Sequence, residues 1–156
     1  MKQKQAISYW LLKTEPSSFS IADLERKKRE RWDGVRNYQA RNNMRAMKKG
    51  DIVFIHHSSI KEPAIVGVGK IVETAYPDPS QFDPKSQYFD ETSSAHTPRW
   101  SAVDVQYVRT LEYPYTLSYI KHHPTLRHMQ VALRGSRLSV MTVSARHAKL
   151  ILEKVP

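Results

Sequence analysis

Apolar residues in this chain fall into short runs, and the spacing within each run predicts an element. Residues 7–13 (ISYWLLK) are dense in aromatic and aliphatic side chains, which predicts a buried strand. Glu15-Pro16-Ser17-Ser18 breaks it. Ser20 then stands as an N-cap, with Asp23 in the first turn and Ile21 and Leu24 as the apolar positions, so a helix is expected through about Lys28. Residues 32–39 carry no clean period, and Asp33-Gly34 signals a turn. A second helix is expected from about Gln39 to Met47, ended by Gly50. Residues 51–57 and 64–74 read as strands, and Gly67 and Gly69 inside the second predict a bulge or a close backbone approach.

Four prolines, at 77, 79, 84 and 98, make 76–99 a long loop with room for one short helix. Residues 101–111 alternate, with Val103, Val105 and Tyr107 on one face and Asp104 and Gln106 on the other, which predicts a half-buried strand. Thr116 caps a short helix to about His122, residues 138–143 form a last core strand, and Ser144 caps a final helix to about Glu153. This order does not fit a parallel doubly wound sheet. It fits an α+β fold in which helices surround a mixed, barrel-like sheet. At 156 residues, the chain is expected to be one domain, 1–156.

Composition narrows the function. There is no cysteine, which excludes a disulfide scaffold, a zinc ribbon and a thiol nucleophile. No stretch approaches the ~20 apolar residues of a membrane helix, and the polar start Met1-Lys2-Gln3-Lys4-Gln5 is no secretory signal. The expectation is a soluble monomer that does not engage membranes. It would be cytoplasmic in a bacterial host, which the lack of a long basic N-terminal tail favours, or nuclear in a eukaryotic one. The net charge of +10 favours polyanions, nucleic acid first among them.

Phosphate-loop, dinucleotide, HExxH and nucleophile-elbow patterns are absent. His56-His57 are adjacent on a strand and so face opposite ways, which argues against a shared metal ion. No catalytic group, cofactor or metal is expected. The positive signal is a cluster of flat and forked side chains: Trp32, Asp33, Arg36, Asn37, Tyr38, Gln39, Arg41 and Asn42. Aromatic rings stack on bases, amides and carboxylates address base edges, and arginine binds phosphate. The plainer reading makes Trp32 and Tyr38 core aromatics and the polar residues helix caps.

The segments YWLLKTEPSSFSIADL and WDGVRNYQARNNMRAMKKGD resemble the EVE domain family. The likeness continues through HHSSIKEPAIVGVGKIV, AYPDPSQFDP, PRWSAVDV, TLSYIKHHPTLRHM and RLSVMTV, from about Ser8 to Leu152. It implies a PUA-like pseudo-barrel with flanking helices. It also implies a non-catalytic pocket for a modified base, such as a methylated or hydroxymethylated cytosine, in DNA or RNA. Carried onto this chain, that pocket involves Trp10, Lys13, Trp32, Asp33, Gly34, Val35, Arg36, Asn37, Tyr38, His57, Ser58, Ser59 and Ser139. Trp32 would stack on the base and Asn37 would read its edge. Arg36, Arg41, Arg45, Lys48 and Lys49 would contact phosphates. The chain departs from the family where Ser58-Ser59 replace a small polar residue and Asn, and where Met141-Thr142-Val143 replaces a segment in which proline is common. Two alternatives stand beside the reader. One is an enzyme acting on the modified base through Asp33 or Glu15. The other is an interaction module whose pocket takes a small ligand or peptide.

Overall fold

In the computed structural model, which describes residues 6–153, the strands are β1 (Tyr9–Thr14), β2 (Arg29–Trp32), β3 (Ile52–His57), β4 (Ala64–Pro77), β5 (Ser101–Thr116) and β6 (Val140–Val143). The helices are α1 (Ile21–Lys27), α2 (Tyr38–Ala46), α3 (Leu117–His122) and α4 (Ala145–Glu153), with single 3₁₀ turns at Pro79–Phe82, Leu126–His128 and Gln130–Ala132. The polar start at residues 1–5 lies outside the described residues. No described helix is long and apolar enough to cross a membrane.

Six strands form one sheet in the order β2-β5-β4-β3-β1-β6. Only β1 and β3 run parallel; the other pairs are antiparallel. Strand alternation divides the core in two. Trp10 and Leu12 of β1 and Val53 and Ile55 of β3 pack with Leu24 of α1 and Ala40 and Met44 of α2. Leu11 and Phe54 face the other way, against Ile120 of α3, Leu126, and Ala148 and Ile151 of α4. The first core also holds Trp32 and Val140, which belong to the opposite edge strands β2 and β6. The sheet therefore curls around that core without closing. This is the mixed pseudo-barrel with flanking helices expected from the sequence.

Local chemistry explains most boundaries. Ser20 and Asp23 form a reciprocal capping box at α1, and Lys28 ends that helix in a left-handed conformation. Thr116 caps α3 and Ser144 caps α4. The expected bulge at Gly67 and Gly69 is present, because the register with β5 shifts at both. The close backbone approach is present too: a Cβ on Gly69 would sit 3.1 Å from the Gln106 carbonyl oxygen, and 2.7 Å from the Val105 side chain.

Strand β2 is a correction, since the sequence pattern left 29–32 without an element. Arg-Glu-Arg-Trp buries only Trp32, so it has no apolar alternation to read. Its pairing with β5 makes it a strand, and its charges suit a sheet edge. Both β4 and β5 also run further than expected, to Pro77 and Thr116, because they pair with each other. β6 starts later, at Val140.

His56 is the anomaly of the core. It is 1% exposed, and neither ring nitrogen has a hydrogen-bond partner among the described residues. Burial, then the neighbouring Lys13 and His57, push its pKa down to about 4. An unfolded histidine titrates near ~6.5, so on acidification the unfolded chain takes up the proton first. His56 thus costs nothing in protonation above that value and destabilises the fold progressively as pH falls towards about 4. Replacing His56 with Phe removes both orphaned nitrogens and is expected to stabilise by about 1–3 kcal/mol. The melting temperature of His56→Phe should fall less between these pH values than that of the parent. Parallel curves for the two proteins would contradict this account.

Candidate functional site

A cleft of about 590 Å³ opens beside the edge strand β2. That volume is within the ~300–1,000 Å³ typical of ligand sites. Four stretches of chain build it: the end of β1 with the turn to α1, β2 with the turn after it, the 78–100 loop at Gln87 and Tyr88, and Ser139 before β6. It lies where the curled sheet fails to close.

The wall after β2 is fixed by one buried carboxylate. Asp78 is fully buried. It accepts hydrogen bonds from the Gly34 amide at 2.8 Å, Arg36 Nη1 at 3.0 Å, the Ser80 amide at 2.8 Å and the Ser80 hydroxyl at 2.6 Å. Burial alone would push the Asp78 carboxyl up; the bonds from Ser80, Gly34 and Arg36 outweigh it and hold it below the usual range. Gly34 has a φ of 77°, and a Cβ there would meet the Tyr88 ring at 2.7 Å. Both the backbone and the ring above it therefore require glycine. Arg36 reaches back across the loop to the Tyr88 carbonyl and the Ser80 hydroxyl.

The opposite wall is held by β1 and β3. The Thr14 hydroxyl donates to the Phe19 carbonyl at 2.7 Å, and His57 Nε2 accepts from the Ile21 amide at 3.1 Å, satisfying a first-turn donor of α1. The Lys13 amide donates to the Ser139 carbonyl at 2.8 Å. Phe19 meets Trp32 edge-on, at 5.9 Å between ring centroids.

Several groups in the cleft carry no partner among the described residues: the Trp32 indole N–H, the Lys13 ammonium, the Ser139 hydroxyl and the Glu15 carboxylate. The Asp33 carboxylate bonds only to its own backbone and feels the charge of Arg31, which leaves it lone pairs to offer. Burial lowers the Lys13 pKa. Burial, then the Asp78 charge, raises Asp33, against a pull downwards from Arg31. Perturbed groups with free hydrogen-bonding capacity in a concave site are what ligand recognition needs.

Of the residues expected at the pocket, Lys13, Trp32, Asp33, Gly34, Val35, Arg36 and Ser139 line this cleft together. The others stand elsewhere. Trp10 is buried, and its indole donates to Asp51 at 3.0 Å. The Asn37 side chain caps α2 through the Ala40 amide at 2.9 Å. Tyr38 is half exposed and stacks on Trp100 at 4.9 Å. His57 caps α1, Ser58 bonds back to Thr14, and Ser59 is an exposed left-handed residue.

The residues expected at phosphates are largely engaged. Arg41 donates to the Arg99 carbonyl and to Asn42, while Arg45 donates to Ser101 and to the carbonyls of Pro98 and Arg99. Lys48 bonds to Ser8 beside Asp51, and Lys49 is exposed.

Sequence reasoning missed Phe19, Glu30, Arg31, Gln87 and Tyr88 in the lining and Asp78 behind it. Gln87 and Tyr88 come from the irregular loop, which has no period to read. Asp78 lies in the same loop, and its ties to Gly34 and Arg36 span more than forty residues.

A model of the EVE domain matches residues 8–154. Thymocyte nuclear protein 1 of Gallus gallus is 44% identical, over 93% of this chain and 63% of its own length, so this chain spans less than two thirds of that relative. Among solved structures, a protein from Pseudomonas syringae superposes with a TM-score of 0.90 at 49% identity, covering 93% of this chain and 97% of that one. Human THYN1, solved in complex with 5-methylcytosine-containing DNA, superposes with a TM-score of 0.88 at 40% identity, covering 96% and 99%.

Replacing Asp78 with Ala leaves the Gly34 amide without its acceptor and removes the counter-charge of Arg36. It should cost about 3–5 kcal/mol, the usual penalty for breaking one side of a buried pair. The depressed Asp78 pKa works in the acid range: its contribution is complete above the unfolded value of ~3.9 and lost as pH falls through the folded one. Denaturant titrations at neutral pH should show the full difference between parent and Asp78→Ala. That difference should shrink below about pH 4.

Proposed function

The chain belongs to the EVE domain family, and on that premise we propose that its cleft holds a modified cytosine turned out of a nucleic-acid strand, as a reader without catalysis. The observation that carries this reading is the pairing of ring surface with unpartnered polar groups in one cleft of base-accommodating size. The complex of human THYN1 with 5-methylcytosine-containing DNA supports the choice of base and favours DNA as the strand.

The chemistry of the lining suits that base. Cytosine presents an exocyclic amine as donor and ring N3 and O2 as acceptors. Asp33 is suited to accept from the amine, as acidic side chains do on cytosine N4. Lys13 and Ser139 offer donors to the acceptor edge. Phe19, Trp32 and Tyr88 supply ring surface, where stacking is worth about 1–3 kcal/mol per base. Stacking alone does not select a modification. A methyl group does so by filling an apolar niche, for which Val35 and Phe19 are the candidates, and one such group is worth about 1–3 kcal/mol. Turning the base out of a duplex costs a few kcal/mol, which the combined contacts offset.

This reading moves edge recognition from Asn37, which caps α2, to Asp33. A second reading makes the protein an enzyme on the same base with Asp33 as the acid, and the raised pKa of Asp33 is the observation in its favour. The same experiment separates the two.

Fluorescence anisotropy with labelled oligonucleotides, each carrying one cytosine or one 5-methylcytosine, should show at least a tenfold preference for the methylated strand, about 1.4 kcal/mol. Asp33→Ala should weaken binding to both strands, and Trp32→Phe should reduce the preference. Equal binding of both strands by the parent protein would sink the reader. Release of free base or cleavage of the strand would establish the enzyme instead.

A further inference from the structure

One cation of the cleft has no part in the reading above. Arg31 lies on β2 immediately before Trp32 and lines the cleft. Its Nε donates to the Tyr76 hydroxyl at 3.2 Å, and that hydroxyl donates to Asp104 at 2.5 Å. Asp104 is gripped from its other side by the fork of Arg29, at 3.2 and 2.8 Å. Register explains the grouping: Arg31 pairs with Asp104 across β2 and β5, while Tyr76 pairs with Ala102, two residues from Asp104, across β4 and β5. Burial, then the bond to Asp104, push the Tyr76 hydroxyl up to about 12, so it stays a neutral link throughout the working pH range.

This relay occupies only Nε of Arg31. Neither terminal nitrogen makes a hydrogen bond among the described residues. The contrast is with Arg36, Arg41 and Arg45, whose terminal nitrogens are spent on carbonyls and side chains of their own fold. A guanidinium anchored at Nε, with both terminal donors open, is pre-organised for two-pronged binding of a phosphate. Asp104, its register partner, already carries Arg29 and Tyr76, and the charge of Asp33 acts on Arg31 without a hydrogen bond to it.

We propose that Arg31 binds a backbone phosphate flanking the base held in the cleft, with Tyr76 and Asp104 as its positioning residues. The proposal rests on the modified-base reading for the identity of the strand. It shifts the directed phosphate contact from the face of α2 to the edge strand β2.

The test compares the parent with Arg31→Ala, Tyr76→Phe and the double variant. Each is titrated with the methylated and unmethylated oligonucleotides at several salt concentrations. Arg31→Ala should weaken binding to both strands by the same factor, roughly tenfold at low salt. It should also reduce the slope of log affinity against log salt by about 0.7–0.9, the value of one phosphate. Tyr76→Phe should cost about threefold where Arg31 is present and nothing where Arg31 is Ala, as expected of coupled residues. An unchanged slope in Arg31→Ala overturns the phosphate assignment. So does a loss confined to the methylated strand, which would make Arg31 a base contact. A Tyr76→Phe loss of equal size with and without Arg31 overturns the relay. If the parent itself shows no preference between strands, the modified-base reading fails, while the slope comparison still decides Arg31.

Discussion

The candidate site depends on the burial of one charge. Asp78 is fully enclosed, and an isolated carboxylate in such a place would be prohibitive. It is tolerated because four donors converge on it from two distant parts of the chain. Those donors include the amide of Gly34, so the carboxylate sets the path of the turn that carries Asp33, Gly34 and Val35 past the cleft. The same loop is closed at its far end, where the Asp78 amide bonds to the Trp100 carbonyl and Gln81 bonds to both Asp78 and Trp100. The proline-rich excursion is thereby made into a wall of the cleft. Tyr88 is laid over Gly34, where no side chain fits.

The facing wall follows from a different constraint. A parallel pair, β1 and β3, brings Thr14 and His57 side by side at their C-terminal ends. From there each reaches the start of α1, through the Phe19 carbonyl and the Ile21 amide. Strand ends, a helix start and an edge strand thus meet where the curled sheet is open. The division of labour is clear in the hydrogen bonds. Residues that hold the site spend their bonds within the fold: Asp78 and Arg36 on the loop, His57 and Asn37 on helix starts. Residues that face the cleft, such as Trp32, Asp33, Lys13 and Ser139, keep capacity in reserve.

The positive charge of the chain divides in the same way. A guanidinium bonded to a carbonyl keeps its charge, so Arg36, Arg41 and Arg45 still contribute to the long-range attraction of a polyanion. Directed contact needs open donors as well as charge. The Tyr38–Trp100 stack, with Arg41 4.7 Å above the Tyr38 ring, shows how the arginines of α2 are drawn into packing. Long-range attraction and local grip are therefore assigned to different residues.

The sequence by itself determined the elements that depend on near neighbours. Capping at Ser20, Thr116 and Ser144, the alternation of β5 and the glycine bulge of β4 all report contacts within a few residues or a periodic buried face. The family resemblance added the WDGVR turn as the place to look. Only the tertiary structure decided which members of that turn face the cleft. Asn37 and Trp10 have the same chemistry whether they cap a helix, hold Asp51 or read a base, and the choice is made by partners brought in from elsewhere in the chain. It likewise decided β2, a strand with one buried residue, and the surroundings of Asp78, Tyr88 and Arg31, whose partners Gly34, Arg36, Tyr76 and Asp104 lie forty-two to seventy-three residues away. Hydrophobic period records which face of an element is buried. It carries no record of which polar groups remain unpaired once the sheet has curled, and those are the groups that form the site.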